Sequence, residues 1–416
     1  MQTTPQTRFD AVVVGAGPAG STVAIQLARA GWSVALVERQ RFPRRKVCGE
    51  CIAASNLPLL QALGIGDAIE AIAGPALRQV TLLCGEGAVT ADLPAANHDA
   101  YPWGRALGRE TLDSLLIEQA RVAGAVVFQP CTVQAILGNA GAWHCEVRML
   151  DGTALRRLRA TVVVDAHGSW EDLPSDRPRR RRARSRADLF AFKANFLGST
   201  LAEGQISVLA LDGGYGGMVV ADGRMATLAC CVRRDRLSEL RGAAPALSAS
   251  DAVQFWLQGE CAGVRQALHG ARRDGPWLAS GPLDPGVRVD ARDAIFRVGN
   301  AAGEAHPILG EGMSMALQSA ALLCSHLLGQ NDPAVPDAAV QARVQRAYVA
   351  AWRREFVPRL RLAAVFAHLA MRPRSSDGLM KLLHLWPGLL TQGARWGGKV
   401  RIAKVSRPTA RASQPH

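Results

Sequence analysis

The sequence predicts an α/β protein with a parallel sheet, an inserted antiparallel sheet and a helical C-terminal region, on three observations. First, a strand at Phe9–Val14, a helix at Ser21–Ala30 and a strand at Ser33–Val37 form a β-α-β unit, which implies parallel pairing. Second, Leu189–Asp222 mixes apolar alternation with glycines, as an antiparallel sheet does. Third, apolar residues recur at helical spacing from Val340 to about Lys404.

The other predicted elements follow from the same rules of periodicity. The strands at 143–150 and 156–164 are predicted to pair around the turn Asp151–Gly152. Apolar spacing predicts helices at 55–63, 111–123 and 312–328, and short apolar runs predict strands at 125–128 and 295–298.

Composition limits the class of protein. The chain has 416 residues, 48% of them hydrophobic and 20% charged, so two or three folded domains are expected rather than disorder. No apolar run reaches the roughly 18 residues of a membrane span, and the first residues lack the pattern of a secretory signal. Nine scattered cysteines are typical of reduced thiols, so we expect a cytoplasmic protein. Cys48 and Cys51 lack the second pair that a zinc site needs, and no metal is expected.

The net charge of +14 is confined to two segments. Residues 177–186 contain seven arginines and no acid, and residues 341–416 carry a charge of +13. The rest of the chain is therefore at −6, which argues against a protein that binds nucleic acid. The arginine cluster at 177–186 is either a solvated loop or a docking site for a cofactor phosphate or an acidic carrier protein.

A dinucleotide-binding pattern lies at the first strand-to-helix turn. Residues 15–20 read Gly-Ala-Gly-Pro-Ala-Gly, and Glu38 ends the second strand 23 residues after Gly15. Gly15 permits the tight turn, Gly17 allows the backbone to approach a pyrophosphate, and Gly20 allows close helix packing. The helix N-terminus offers N–H groups to phosphate, and Glu38 would accept the ribose hydroxyls, which disfavours NADP as the resident ligand.

A second motif lies nearly 300 residues later. Residues 297–303 end a predicted strand in a glycine turn, and Pro307-Ile308-Leu309-Gly310-Glu311-Gly312 opens a long helix. The start of such a helix can stabilise the negative charge that develops on a reduced flavin.

The two motifs together resemble those of FAD-dependent oxidoreductases in the group of para-hydroxybenzoate hydroxylase-type monooxygenases, geranylgeranyl reductases and flavin halogenases. Residues 41–50 (RFPRRKVCGE) are similar to a segment that runs beside the isoalloxazine in that group, and Arg109 stands where the family has an arginine that contacts FAD. Asn300 replaces the usual aspartate of the distal motif, and residues 165–168 (DAHG) replace Ala-Asp-Gly, with His167 inserted. These matches span residues 9–329.

The resemblance implies a Rossmann-like FAD-binding domain of the para-hydroxybenzoate hydroxylase type, an inserted antiparallel-sheet substrate domain and a helical C-terminal cap. We expect the FAD-binding domain at 1–75, 104–180 and 285–330, the substrate domain at 76–103 and 181–284, and the basic helical region at 331–416. The expected FAD contacts are Gly15, Ala16, Gly17, Pro18, Ala19, Gly20, Glu38, Arg39, Lys46, Cys48, Gly49, Arg109, Gly299, Asn300, Pro307, Gly310, Glu311 and Gly312.

The reaction is less well specified than the cofactor. Halogenases of this group use an active-site lysine, and no lysine occurs between Lys46 and Lys193, so halogenation is disfavoured. Gly213-Gly214-Tyr215 is similar to a reductase segment, but Gly217 replaces its tryptophan. Our first expectation is a monooxygenase that hydroxylates a lipophilic or aromatic molecule, polyketide- or isoprenoid-like, through a C4a-hydroperoxyflavin. A geranylgeranyl-reductase-like reductase of carbon–carbon double bonds and a non-catalytic FAD-binding protein are the alternatives.

Partners and catalytic groups are only partly indicated. NAD(P)H or a separate reductase would supply electrons, because the chain has no second nucleotide pattern of similar quality. No catalytic residue is assigned: Glu304 and Glu311 can pair with the helix dipole, and His306 can be an ordinary loop residue. Arginines and aromatic residues interleave in the C-terminal helices, which cap the two domains or contact a membrane surface peripherally.

Overall fold

The structure, a computed structural model, describes residues 6–152, 155–169, 173–174, 184–329 and 337–396. Most of the arginine cluster at 177–186, and all residues after 396, lie outside this part of the chain. The helices are α1 Pro18–Arg29, α2 Leu57–Ala62, α3 Gly66–Ile72, α4 Arg109–Val122, α5 Arg234–Ala243, α6 Ala249–Glu260, α7 Ala262–Ala267, α8 Gly312–Leu328, α9 Ala338–Ala370, α10 Pro373–Leu385 and α11 Gly388–Trp396. The strands are β1 Gln6–Val14, β2 Val34–Val37, β3 Cys51–Ile52, β4 Gln79–Cys84, β5 Gly87–Asp92, β6 Arg105–Ala106, β7 Val126–Phe128, β8 Cys131–Asn139, β9 Ala142–Met149, β10 Leu155–Asp165, β11 Leu189–Leu197, β12 Gln205–Leu211, β13 Gly214–Val220, β14 Ala226–Arg233, β15 Arg272–Ser280, β16 Gly286–Val287, β17 Phe296–Arg297 and β18 Gly303–Glu304.

The first sheet carries the predicted β-α-β unit. Its order is β7-β2-β1-β10-β9-β8, and β17 pairs with the carboxyl end of β10. The strands β7, β2, β1, β10 and β17 are parallel, whereas β9 and β8 continue the sheet in antiparallel pairing. Val12 and Val13 of β1 are both fully buried, on opposite faces of the sheet. Helices cover the face of Val13, and residues of β8 and β9 pack on the face of Val12.

The second sheet has the order β15-β11-β14-β13-β12-β4-β5. All its neighbours are antiparallel except β4, which pairs parallel to β12, because the chain enters this sheet from two separate segments. Val253 and Trp256 of α6 pack on one face of the sheet, against Leu209 and Leu228. The predicted fold class is confirmed: a mixed α/β protein with a second, largely antiparallel sheet and a helical C-terminal region.

The C-terminal helices join the two sheets. The first half of α9 buries Tyr348, Trp352 and Phe356 in the core that also contains α1 and α8. The end of α9, together with α10, packs on the second sheet opposite α6, where Met380 and Leu383 are buried. The sequence predicted a break at Pro387; the structure has a further break between α9 and α10, because Pro373 suits only the first turn of a helix.

Candidate functional site

The glycine turn at 15–20 joins β1 to α1 as predicted. Gly15 has φ +101° and donates its N–H to the carbonyl oxygen of Val37 at 2.7 Å. A Cβ on Gly15 would lie 2.5 Å from the carbonyl oxygen of Ala166, and a Cβ on Gly20 would overlap the carbonyl oxygen of Gly15. Gly17 is the N-cap of α1, and Pro18 and Ala19 follow it as the first helical residues. The N–H groups of this first turn have no partner within the helix, so they are available to a ligand at the glycine turn.

Glu38 holds this turn from the end of β2. Its carboxylate is buried and accepts hydrogen bonds from the N–H groups of Ala16 and Gln40, both at 2.8 Å. A carboxylate has about four acceptor sites, so capacity remains for ribose hydroxyls. Glu38 and its exposed neighbour Arg39 line the cleft beside the turn.

Three cations converge on the same turn. The guanidinium of Arg109 is buried and forms a two-point ion pair with Asp113, with both N–O distances at 2.7 Å. Arg44 lies 3.4 Å from the same carboxylate. Burial alone would lower the pKa of Arg109, but Asp113 raises it above its ordinary value. Burial, and then the charges of Arg109 and Arg44, lower the pKa of Lys46 to about 8. The three cations face two carboxylates, those of Asp113 and Glu38, so one positive charge remains that a phosphate group would neutralise.

A cleft of about 690 Å³ runs from the glycine turn along this cationic cluster to β15 of the second sheet. It is lined by Gly15, Gly17, Glu38, Arg39 and Lys46 of the predicted set.

His167, noted in the sequence only as an insertion, also lines the cleft. Its Nδ1 bonds to the Asp165 carboxylate, and its Nε2 is buried without a hydrogen-bond partner among the described residues. A buried ring nitrogen without a hydrogen-bond partner beside this cleft can form a hydrogen bond to a bound ligand.

The distal motif lies against the first one. Gly299 faces Ala19 so closely that a Cβ would approach the alanine methyl to 2.9 Å. The N–H of Gly299 donates to Ser319 of α8 at 2.8 Å. Asn300 donates through Nδ2 to Ser169 at 2.8 Å, so the asparagine that replaces the family's aspartate is tied to the segment after β10.

The turn before α8 meets the loop before β3. Pro307–Leu309 form a short 3₁₀ turn, Gly310 has φ +66°, and Glu311 precedes Gly312 at the start of α8. A Cβ on Gly310 would lie 3.9 Å from Cβ of Cys51, whereas a Cβ on Gly49 or Gly312 would meet nothing within 4 Å. The backbone is therefore open at both glycines.

Charges near the distal turn are paired within the protein. Glu304 pairs with Arg288 at 2.9 Å, and Glu311 lies 3.7 Å from Arg359 of α9. Cys48 accepts a hydrogen bond from the N–H of Glu50 at 3.4 Å, and it is a free cysteine like the other eight. The spacing of Cys48 and Cys51 therefore does not mark a disulfide.

These residues fit FAD. The glycine turn at a helix N-terminus and the cations suit its phosphates, the His167 Nε2 lacks a partner, and the open glycines at 49 and 312 leave room for a planar ring. When bound, FAD supplies hydride acceptance and, once reduced, reactivity toward oxygen. The described residues include no cluster of His, Cys, Asp or Glu that could hold a metal ion.

A buried polar network that the sequence did not reveal ties the second sheet to the loop before β3 and to the start of α4. Lys193 of β11 pairs with Glu50, and both side chains are only 2% exposed. The same carboxylate accepts from the hydroxyl of Thr227 and from the N–H of Arg109 at 3.0 Å. Glu50 has φ +60°. The network thus fixes the loop that carries Cys48 and Gly49.

A second polar group lies between the distal turn, the second sheet and α9. The hydroxyl of Tyr215 lies 3.4 Å from Nδ1 of His306, and the ring of His306 contacts that of His368. Burial, and then the charge of His368, lower the pKa of His306 to about 4. Burial, and then Cys231, raise the pKa of Tyr215 well above its usual value. Both groups are therefore neutral at pH 7. From the sequence, His306 was expected to be an ordinary loop residue. The fold brings its ring next to those of Tyr215 and His368.

Comparison with known proteins agrees with this cofactor assignment. The FAD binding domain family matches residues 8–203. A menaquinone reductase of Mycobacterium tuberculosis is 32% identical over 157 residues, which are 38% of this chain and only 37% of that enzyme. The chain therefore covers little more than a third of the length of the first curated relatives.

Two solved structures share the fold over most of both chains. The myxobacterial chondrochloren halogenase CndH has a TM-score of 0.72 at 20% identity and covers 93% of this chain and 91% of its own. PqsL of Pseudomonas aeruginosa, described as "a probable FAD-dependent monooxygenase", has a TM-score of 0.66 at 19% identity and covers 90% and 100%. At these identities the likeness shows the fold alone.

No helix among the described residues is long and apolar enough to cross a bilayer. The match over residues 8–203 identifies an FAD-binding domain of that family in this part of the chain, and the two solved structures show the fold.

Proposed function

We propose that the protein is an FAD-dependent monooxygenase acting on a lipophilic or aromatic small molecule. The observation that carries the proposal is the buried apolar cluster beside the distal turn. There Ile308 packs with Tyr215 of the second sheet and with Met371, Met380 and Leu383 of the C-terminal segment. Apolar walls exclude water from the reacting centre, which oxygen transfer to carbon requires.

Different groups of the chain would contact different parts of FAD along the cleft. Arg44, Lys46 and Arg109 would hold the phosphates of FAD beside the N-terminus of α1. The N-terminus of α8, at Gly312, would stabilise negative charge on the reduced ring. NAD(P)H or a separate reductase would supply the electrons.

The Tyr215–His306 pair provides a polar contact within this apolar cluster. His306 is neutral, so its Nδ1 can accept the phenolic proton of Tyr215, and the hydroxyl oxygen of Tyr215 can then accept from a substrate hydroxyl. We assign this pair the positioning of a polar group on an otherwise apolar substrate.

The two lysines within residues 1–380 have other roles, which disfavours halogenation. Lys46 lies in the phosphate cluster, and Lys193 is engaged by Glu50. The similarity to the halogenase CndH is therefore one of fold.

A reductase acting on a carbon–carbon double bond or a quinone is the second candidate. It is supported by the similarity to the menaquinone reductase and by the protonated, buried hydroxyl of Tyr215, which could donate a proton to a reduced substrate.

Stopped-flow spectroscopy of the FAD-loaded protein tests the choice. The protein is reduced anaerobically and mixed with oxygenated buffer, alone and with a panel of alkylated phenols. A transient absorbing species distinct from oxidised and reduced flavin, followed by incorporation of ¹⁸O from labelled oxygen into a phenol, is the expected result. Direct reoxidation without such a species, together with anaerobic reoxidation by menaquinone, would favour the reductase. The Gly20→Ala protein, expected to lack FAD, is the control.

A further inference from the structure

We propose that α10 and α11 bind the surface of an anionic membrane through their outer face while their inner face packs against the apolar cluster that contains Tyr215 and Ile308. The proposed membrane contact rests on the exposure of described residues and on the charge of the sequence, and it does not depend on the proposed function. Its purpose, the collection of a lipophilic substrate, rests on the proposed function.

The outer side of α10 and α11 exposes several apolar residues close together in the sequence. Leu382, Leu385, Trp386 and Leu389 are all exposed, and Leu385 and Trp386 have 72% and 62% of their surface in contact with solvent. They lie within eight residues that span the break between α10 and α11. Single exposed apolar residues are common on proteins, but four in one short segment mark an interaction surface.

The inner face packs in the apolar cluster beside the distal turn. Met380 and Leu383 alternate with the exposed leucines and are buried in the same apolar cluster as Tyr215 and Ile308. In α11, Thr391 donates its hydroxyl to the carbonyl oxygen of Asp92 at 2.7 Å. The two helices α10 and α11 thus face the apolar cluster on one side and solvent on the other.

The positive charge of this segment favours an anionic bilayer as the partner of the exposed apolar surface. Lys381 and Arg395 are exposed on these helices, and residues 378–416 contain three lysines, four arginines and no acid. Trp and Leu beside such cations suit the boundary between headgroups and acyl chains of an acidic membrane. A second copy of the chain would oppose cation to cation across the same face, which is unfavourable.

Vesicle co-sedimentation of the full-length, FAD-loaded protein tests the proposal. We expect binding to vesicles of phosphatidylcholine with phosphatidylglycerol at low salt and little binding to phosphatidylcholine alone, with the difference lost at high salt. Leu385→Ser with Trp386→Ser should lower the partition coefficient at least about tenfold, because the exposed apolar area is lost. Lys381→Glu with Arg395→Glu should weaken the preference for anionic vesicles.

Phe255→Ser is the matched control. Phe255 is 72% exposed on α6, on the other face of the second sheet, so its loss should leave binding unchanged. Equal melting temperatures would show that the variants fold. The proposal is overturned if the wild type ignores anionic vesicles, or if the double serine variant binds like Phe255→Ser. A dimer in light scattering that dissociates in the serine variant, without vesicle binding, would instead identify an interface between copies. None of these readouts uses enzymatic activity, so a failed oxygenation test leaves them interpretable.

Discussion

Replacing Lys193 with methionine should destabilise the protein and weaken its hold on FAD. The substitution keeps most of the side-chain volume but leaves the carboxylate of Glu50 without its counter-charge. Since this carboxylate joins β11 to the loop before β3, one substitution affects both the contact of the second sheet with this loop and the position of Cys48 and Gly49.

The size of the effect follows from burial. Both side chains of the pair are 2% exposed, and breaking such a buried pair typically costs about 3–5 kcal/mol. Glu50 keeps its hydrogen bonds from Thr227 and from the N–H of Arg109, so we expect the lower end, about 3 kcal/mol. Glu50→Gln in the same chain removes the buried charge. Its carbonyl oxygen can still accept from the N–H of Arg109, and its amide group can donate to the hydroxyl of Thr227 in place of the second carboxylate oxygen. The double variant should therefore recover about 2 kcal/mol relative to Lys193→Met.

Urea unfolding followed by circular dichroism gives the free energies, and calorimetric titration of the apoprotein gives the FAD dissociation constant. Arg157→Met is the control, because Arg157 forms an exposed ion pair with Glu146 and should cost under about 1 kcal/mol. If Lys193→Met costs no more than Arg157→Met, or if adding Glu50→Gln makes it worse, the reasoning about an uncompensated buried carboxylate is refuted.

Three further results are expected. Gly20→Ala should abolish FAD binding, because its Cβ overlaps the Gly15 carbonyl oxygen, whereas Gly259→Ala, where nothing lies within 4 Å, should retain the flavin spectrum; equal flavin content in both proteins would contradict this. Because the pKa of Lys46 is about 8 and phosphate favours its charged form, the affinity for FAD should be constant below pH 8 and fall above it in titrations, and Lys46→Met should flatten that fall. Since burial lowers the pKa of His306 from 6.5 to about 4, the unfolded chain binds the extra proton first, so stability contributed by this group should be complete above pH 6.5 and be lost as pH falls towards 4. In thermal melts across that range, His306→Asn should reduce the slope; an unchanged slope would place the titration elsewhere.

Local chemistry made much of the nucleotide-binding part predictable. The turn from Gly15 to Gly20 needs only a backbone that bends with φ above zero and a helix that packs without a Cβ, and both requirements are visible in neighbouring letters. The same holds for the β-α-β unit and for the helix that begins at Gly312, whose turns and apolar periods lie within about twenty residues.

Pairings between distant residues were decided by the tertiary structure. Lys193 and Glu50 are 143 positions apart, and Tyr215 and His306 are 91 apart, so no spacing rule connects either pair. His167 was visible as an insertion, but its unpartnered nitrogen exists only because Asp165 holds the other side of the ring within the cleft.

The C-terminal helices show where sequence and structure divide. Their periodicity, their basic charge and the break at Pro387 are local properties, and the sequence by itself determined them. Which side of α10 is buried was decided by the second sheet, whose free face takes up Met380 and Leu383 and leaves Leu385 and Trp386 in solvent. The physical reason is that burial depends on which apolar surfaces meet, and that choice belongs to the whole chain rather than to any one segment.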